Sequence, residues 1–561
     1  MSTKPSRATL PETPSSLAVE GAPDPRRWLA LAVLAAGLSM IVLDGTIVGV
    51  VLPTIIDDLG LDLTAAQWIT SLYAMVFAAL LLTFGRVADR IGRRTVFMVG
   101  VVVFAASSVT AGMAVDGSAL IASRAVQGIG GAMILPTTLS TMNATFRGDD
   151  RARAFGVWGA VMAGMAAVGP LLGGWLTTVL DWRWIFYVNV PLGALVLLGA
   201  AFVVPQTTGA PARRGIDVDG LLTSGIGMAL VVFGLIEATT LGWWRPKSDF
   251  TILGWTWPQT ASISLAPIAL VVGAAFLALF IVWERHRARV NRDALLDLSL
   301  FRIRTFSWGN IAAAAVSAGE FALVFLLPLH LVNVLGLSVL QTGLVLSGMA
   351  LGAFVSGAMA RRLAARMSAP TVVLIGLGLE LIGIITTIAL LRPGASATLI
   401  GATLAVYGVG LGLASAQLTS TVLADVPTEQ SGAASATQST VRQVGSALGS
   451  AVAGTALAAS LASTLPDRLA AVTGLPGAVS DQLASSTIDS VGGLISVLRG
   501  QGVGGRLGEL GPQVTDALAA GFADATRVAL LTAAAFVAVG FLGAIQVRRV
   551  ALRPPPPVTS E

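Results

Sequence analysis

The sequence predicts an all-α protein that crosses a membrane many times. Of its 561 residues, 55% are hydrophobic and 12% are charged, and the mean hydropathy is +0.81. A soluble domain needs more polar surface than this. Apolar stretches of about 20 residues, the length that spans a bilayer core, alternate with short charged links. Within these stretches apolar and polar residues do not alternate, as they would in a transmembrane β-barrel.

We count fourteen candidate spans. An even number places both termini on the same side, and Lys and Arg concentrate in the links on that side, which predicts that it is cytoplasmic. The spans are expected near residues 28–51, 67–84, 95–115, 119–142, 154–178, 184–204, 218–240, 260–283, 306–332, 338–360, 370–391, 396–420, 433–461 and 527–547.

An internal repeat predicts the domain organisation. The link after span 2 reads GRVADRIGRR (the 85–94 link), and the link after span 10 reads GAMARRLAARM (357–367). Both begin with Gly, carry Ala three residues later and are rich in Arg. Repeated six-span halves are typical of secondary transporters. The predicted order is a disordered cytoplasmic tail (1–27), an N-terminal six-helix half (28–204), an inserted pair with its links (205–305, spans 7 and 8), a C-terminal half (306–547) with a long extracellular loop (462–526), and a second cytoplasmic tail (548–561).

The composition excludes several functions. The chain has no cysteine and two histidines, His286 and His330, so we expect no metal site and no thiol chemistry. Neither lysine, Lys4 or Lys247, follows a glycine, so a Walker A loop for ATP is absent. Transport against a gradient would then draw on an ion gradient or on a separate subunit. The basic residues flank spans and do not indicate nucleic-acid binding. The histidines do not form a HExxH pattern, and we expect no enzyme activity and no cofactor.

Ionisable residues inside spans are candidates for function because they are costly in a bilayer. Asp44 in span 1 and Arg124 in span 4 both lie toward the outer side, close enough in depth to interact. A carboxyl group that gains and loses a cationic partner changes its affinity for protons, so this pair could couple protons to conformation. A static polar clamp between the two helices is the alternative.

Five motifs give the chain a resemblance to a known family. These are LDGTIVGVVLP (43–53), the 85–94 link, LIASRAVQGIGGA (120–132), GMAAVGPLLGG (164–174) and WRWIFYVNVP (182–191). In order and depth they resemble the major facilitator superfamily, and within it the fourteen-span drug:proton antiporter branch, the EmrB/QacA-like exporters. The resemblance implies the major facilitator fold, two six-helix halves plus an inserted helix pair, with the proton gradient as energy source.

The resemblance assigns roles to two of these motifs. The 85–94 link would be a cytoplasmic latch. Asp89 can meet Arg side chains or a helix N-terminus, and the resemblance implies that this terminus belongs to the other half or to span 13; a plain positively charged flank is the alternative. Its residues are Gly85, Asp89, Arg90, Gly92, Arg93 and Arg94. The Gly-Pro pattern of span 5 would mark an exporter, although small residues also serve close helix packing. Its residues are Gly164, Gly169, Pro170, Gly173 and Gly174.

Further polar and aromatic residues are candidates for the substrate cavity. Glu320 lies in span 9, the counterpart of span 1, and would attract cationic compounds or carry a proton; a hydrogen-bonded packing carboxyl is the alternative. The proton-coupling candidates are therefore Asp44, Arg124 and Glu320. The cavity candidates are Gln127, Asn310, Glu320, Phe321, Gln417, Glu380 and Arg442.

The function expected from these features is proton-coupled export of hydrophobic, often cationic compounds across a bacterial cytoplasmic membrane. The expected partners are small hydrophobic molecules, protons and the lipid bilayer, and the expected state is a monomer. A narrow exporter of one endogenous metabolite, such as an antibiotic, an amino acid or a lipid, shares the same motifs. A membrane enzyme would need a cluster of acid, base and metal groups, and a transporter-like sensor would lack the coupling residues or carry a signalling domain.

Overall fold

Long helices account for nearly all of the described part of the chain. The computed structural model describes residues 25–146, 148–208, 217–252, 255–290, 292, 294–296, 298–426 and 431–551. The predicted tails at 1–27 and 548–561 therefore lie largely outside the described residues.

The elements follow the predicted order. The N-terminal half contains α1 (Arg27–Leu59), α2 (Leu63–Ile91), α3 (Arg93–Gly112), α4 (Gly117–Thr145), α5 (Gly148–Val179), the one-turn α6 (Trp184–Tyr187) and α7 (Asn189–Val203). The inserted pair is α8 (Val218–Leu241) and α9 (Leu265–Arg289), joined through an antiparallel hairpin of β1 (Phe250–Ile252) and β2 (Trp255–Trp257). The C-terminal half contains α10 (Arg304–Asn333), α11 (Val339–Met367), α12 (Ala369–Leu390), α13 (Ala397–Val422), α14 (Ser431–Ala470), α15 (Gly477–Asp489), α16 (Gly493–Gln501) and α17 (Gly511–Ala551).

The predicted all-α membrane architecture is confirmed. Among the described residues, 13 helical segments are long and apolar enough to cross a membrane, with α6 and α7 forming one of them. The 32-residue α5 corresponds to the remaining predicted span, and its described apolar stretch is Val168–Val179. We call the side on which α1 begins and α17 ends the terminus side, and the side that carries α15 and α16 the loop side.

The segment 462–526 differs from the predicted loop because most of it is helical. α14 continues to Ala470, and α17 already begins at Gly511. Leu461, Leu465 and Leu469, spaced by four residues, are fully buried. Val514, Leu518 and Phe522 repeat the same spacing on α17 and belong to the same core. These two apolar stripes extend the helices beyond the predicted ends of spans 13 and 14. Pro466 lies within α14.

The two halves touch toward the loop side. Between α2 and α14, the Ser71 and Ser450 hydroxyls share a hydrogen bond of 2.9 Å, and Gln67 Nε2 donates to the Ala451 carbonyl at 3.4 Å. Between α5 and α11, a Cβ on Gly174 would lie 2.9 Å from the Leu340 Cα. Gln67, Ser71, Gly174 and Leu340 lie in the loop-side portions of their helices, and Ser450 and Ala451 lie at the middle of α14. The halves are therefore in contact from the middle of α14 to the loop side, and we describe them as closed on that side.

The inserted helix α8 packs against both halves at the α2–α14 seam. On the N-terminal side, Trp68 Nε1 donates to Glu237 at 2.9 Å. On the C-terminal side, Thr455 Oγ1 donates to the Leu235 carbonyl at 2.7 Å. Val232 and Ile236 of α8 lie in one apolar cluster with residues of α2 and α14. The inserted pair therefore covers one of the two seams between the halves.

The absence of native cysteine allows a direct test of loop-side closure. Because the Ser71 and Ser450 hydroxyl oxygens are 2.9 Å apart, the S71C/S450C variant should form a disulfide under mild oxidation, and single-cysteine variants should not. The yield is measured by the gel shift of thiols labelled with a maleimide polymer. T387C/T403C is the matched control, since those hydroxyls are 2.8 Å apart within the C-terminal half. Free thiols in S71C/S450C, alongside cross-linked T387C/T403C, would contradict the closed loop side.

Candidate functional site

The centre of the N-terminal half holds a buried ion pair. Asp44 of α1 is 1% exposed and Arg124 of α4 is 2% exposed, and Arg124 Nη1 donates to Asp44 Oδ2. The sequence predicted that these two residues lie at a similar depth, and the structure brings them into contact. Burying two charges is tolerable only if their remaining polar atoms also find partners.

Gln127 bridges the two charges. It lies one turn after Arg124 on α4, accepts from Arg124 Nη1 at 2.5 Å and donates through Nε2 to Asp44 Oδ1 at 2.7 Å. The same Nε2 donates to Ser108 Oγ of α3 at 3.0 Å, and Asn189 Nδ2 of α7 donates to that oxygen at 3.2 Å. Gln127 was predicted as a cavity residue, but it is fully buried within this network.

The Arg124 guanidinium has further partners on α2. Its Cζ lies 4.1 Å from the centre of the Tyr73 ring, a cation–π contact. Its Nε donates to the Ile69 carbonyl at 3.4 Å. Gln127, Tyr73 and Ile69 are therefore partners of Arg124 in addition to Asp44.

Three members of the network were not predicted from the sequence. Ser108, Tyr73 and Asn189 carry no charge, and charge inside a span was the main criterion for a candidate. A signal was available, since Ser107 and Ser108 are adjacent polar residues inside span 3, and both are buried.

The Gly-Pro pattern of α5 lies between α1 and the C-terminal half. A Cβ on Gly169 would overlap the side chain of Thr46, two residues from Asp44, and a Cβ on Gly173 would lie 3.3 Å from Ile47. On the other face, Gly174 packs against Leu340 and the Pro170 carbonyl packs against Gly343 of α11. Gly164 also belongs to α5, but its surroundings lie outside the described residues. The motif thus connects the helix of the ion pair to the seam between the halves.

The 85–94 link is held together mainly by its own residues and by the end of α7. Arg93 donates to Asp89 Oδ1 at 2.9 Å and to the Ser140 carbonyl at 3.1 Å. The Arg94 backbone N–H donates to Gln206 at 3.1 Å. Arg90 lies exposed in the last turn of α2.

The described ion pair of Asp89 is thus within its own link, whereas the resemblance predicted a partner in the other half. The segment before α14, next to that predicted partner, includes residues 427–430, which lie outside the described residues. The role of the link as a latch stays a prediction.

The two glycines of the link differ in their surroundings. Gly92 has φ +116°, a conformation that side-chain-bearing residues rarely adopt, and a Cβ there would overlap the Gln206 side chain. A Cβ on Gly85 would lie 3.6 Å from Pro136, an ordinary contact. Gly92 is therefore required by the backbone of the α2–α3 turn, and Gly85 is not required for space.

The predicted cavity residues of the C-terminal half do not form one cluster. Arg442 of α14 donates through Nε to Ser317 Oγ of α10 at 3.3 Å, one turn before Glu320. Glu320 and Phe321 are half-buried. Asn310, near the terminus-side end of α10, donates to the Phe306 carbonyl at 2.8 Å. Gln417 of α13 is 9% exposed, and Glu380 of α12 is fully buried. In the described part of the chain, no group of three or more His, Cys, Asp or Glu could hold a metal ion.

Comparisons with known proteins agree with this architecture. The family described as Major Facilitator Superfamily matches residues 34–217 and 210–450. The puromycin resistance protein pur8 of Streptomyces alboniger is 34% identical over 473 residues, covering 83% of this chain and 88% of that protein. The multidrug resistance protein Stp of Mycobacterium tuberculosis is 30% identical over 519 residues, covering 92% and 90%. The probable actinorhodin transporter of Streptomyces coelicolor is 32% identical, covering 80% and 77%.

A solved structure shares the fold. The crystal structure of a bacterial homologue of the human lysosomal transporter Spinster, in an inward-facing and unoccupied conformation, superposes with a TM-score of 0.59 at 18% identity, covering 95% of this chain and all of that one. The chain belongs to the Major Facilitator Superfamily. It is a multi-pass membrane transporter and not an enzyme.

The two glycines of the 85–94 link provide a matched pair of variants. Gly92→Ala should destabilise the folded protein by about 1–3 kcal/mol because alanine is strained at this φ and meets Gln206. Gly85→Ala should leave stability near that of the wild type. Thermal unfolding in detergent measures both. Equal unfolding temperatures for the two variants would show that the positive φ does not constrain the turn.

Proposed function

We propose that the chain is a proton-coupled antiporter that exports hydrophobic, often cationic compounds across the bacterial cytoplasmic membrane. The observation that supports proton coupling best is the fully enclosed network of Asp44, Arg124 and Gln127. A buried carboxyl beside a buried cation is the arrangement in which protonation changes the local charge balance most strongly.

Coupling requires that the charge of Asp44 alters the contact between the two halves. Asp44 lies on α1, and the next turn of α1 packs against Gly169 and Gly173 of α5. The opposite face of α5 packs against α11 of the other half. Protonation of Asp44 loosens the hold of α4 on α1, and the change reaches the α5–α11 seam through these close contacts. No cofactor takes part, and the energy source is the proton gradient.

The orientation proposed for this chain follows from the distribution of arginines. On the terminus side, Arg86, Arg90, Arg93 and Arg94 surround the end of α2, and Arg361, Arg362 and Arg366 end α11. The positive-inside tendency of membrane proteins places this side in the cytoplasm. Both termini are then cytoplasmic, and the closed loop side faces outward.

The names of the relatives support export. Stp is named a multidrug resistance protein, and a relative from Streptomyces glaucescens is named a tetracenomycin C resistance and export protein. The tetracenomycin C protein and the probable actinorhodin transporter are each named for one compound. Their names favour a second candidate function, the export of one endogenous metabolite. A resistance profile against unrelated compounds, compared with intracellular accumulation of a native product in a deletion strain, separates the broad exporter from the narrow one.

Reconstituted vesicles test the proton coupling. Ethidium, a fluorescent lipophilic cation, should move against its gradient when a pH difference is imposed across proteoliposomes without nucleotide, and a protonophore should abolish the movement. Asp44→Asn should reduce it to the rate of protein-free liposomes because the amide cannot exchange a proton. Glu509→Gln, at an exposed loop-side position, is the matched control and should keep the wild-type rate. Gradient-driven movement in Asp44→Asn at the wild-type rate would exclude Asp44 as the coupling group.

A further inference from the structure

A second buried acid lies in the C-terminal half, away from the Asp44 network. Glu380 of α12 is fully buried at the contact with α13. A Cβ on Gly410 of α13 would lie 2.5 Å from the Glu380 nitrogen and 3.0 Å from its Cγ. One turn further along, a Cβ on Gly383 would lie 2.6 Å from the Tyr407 nitrogen. This antiparallel register places Glu380 and Tyr407 one turn apart in the same tight seam.

Neither side chain has a hydrogen-bond partner. Both carboxyl oxygens of Glu380 and the hydroxyl of Tyr407 are buried and unpaired among the described residues. An ionised carboxylate in such surroundings costs far more than a neutral carboxylic acid. A purely structural carboxyl would be expected to bond to a neighbouring helix, which Glu380 does not do here.

The charges near Glu380 come from two other helices. The ionisable groups of the described residues in electrostatic contact with it are Glu320 of α10, Arg442 of α14 and Tyr407 of α13. Arg442 is anchored on α10 by its bond to Ser317, one turn from Glu320. Arg442 carries a single positive charge, so it can balance only one of these two carboxyl groups when both are ionised.

We propose that Glu380 is a second proton-binding site, occupied in the conformation described here and linked to Glu320 through Arg442. While Glu320 is ionised, Arg442 balances it and Glu380 keeps its proton. When a cationic substrate balances Glu320 instead, Arg442 becomes available to stabilise the Glu380 carboxylate. The O–H bond of Glu380 then breaks, its proton passes to water, and Arg442 stays protonated throughout. This last step rests on the proposed function, whereas the occupied site does not.

Infrared spectroscopy of the purified protein without substrate tests the occupied site. The wild-type-minus-Glu380→Gln difference spectrum at neutral pH should show the carbonyl stretch of a protonated carboxylic acid. Glu509→Gln, the same change at an exposed position, should leave that band intact. If Glu380→Gln does not fold, Glu380→Asp replaces it in the test. Glu380→Asp should keep the carbonyl band of a protonated acid at a shifted frequency. Absence of the band from the wild-type-minus-Glu380→Gln spectrum, or its absence from Glu380→Asp, would overturn the proposal.

Proton counting tests the link to Glu320. On binding ethidium in detergent, Glu380→Gln should release about one proton fewer per ethidium bound than the wild type. In the Glu320→Gln background, the Glu380→Gln change should make no difference. An equal loss in both backgrounds would refute the link through Arg442. Failure of Asp44-dependent transport would leave the infrared result unaffected, so the two proposals can fail separately.

Discussion

The ion pair between Asp44 and Arg124 is the interaction on which the N-terminal half depends. Two charges at membrane depth are stable only with each other and with a complete set of polar neighbours. α1 and α4 supply the charges and Gln127, α2 supplies Tyr73 and Ile69, α3 supplies Ser108, and α7 supplies Asn189. Five helices are thereby joined at one point. In the proposed mechanism, a single proton at this pair alters the balance that holds them.

The α5–α11 and α2–α14 seams are contacts between the halves that a change at the ion pair could affect. At the α5–α11 seam, glycines let backbones approach closely, and the same stretch of α5 packs against α1 next to Asp44. At the α2–α14 seam, the contacts are polar bonds between small side chains, and α8 covers them from outside. A change at the ion pair can therefore reach one seam directly through α5. The other seam joins α2, which carries Tyr73, to the half that holds Arg442 and Glu380.

The sequence was sufficient for the membrane architecture and for the proximity of Asp44 and Arg124. Long apolar runs separated by Arg-rich links are typical of membrane-spanning helices, and opposite charges at one depth inside spans favour a direct contact. It was insufficient where the answer depends on tertiary packing. Gln127 bridges the ion pair because α4 presents it one turn from Arg124. The segment 462–526 is mostly helical because α14 and α17 bury leucines and Phe522 against each other. The sequence of one helix alone does not show which other helix it packs against.

The central claim is that Asp44 exchanges a proton when substrate binds. The most direct measurement is the pH change in a weakly buffered solution of purified protein when ethidium is added, in the absence of any membrane gradient. The wild type should release protons when ethidium is added. Asp44→Asn should bind ethidium and release fewer protons than the wild type. The same release from Asp44→Asn as from the wild type, with ethidium bound to both, would contradict the account.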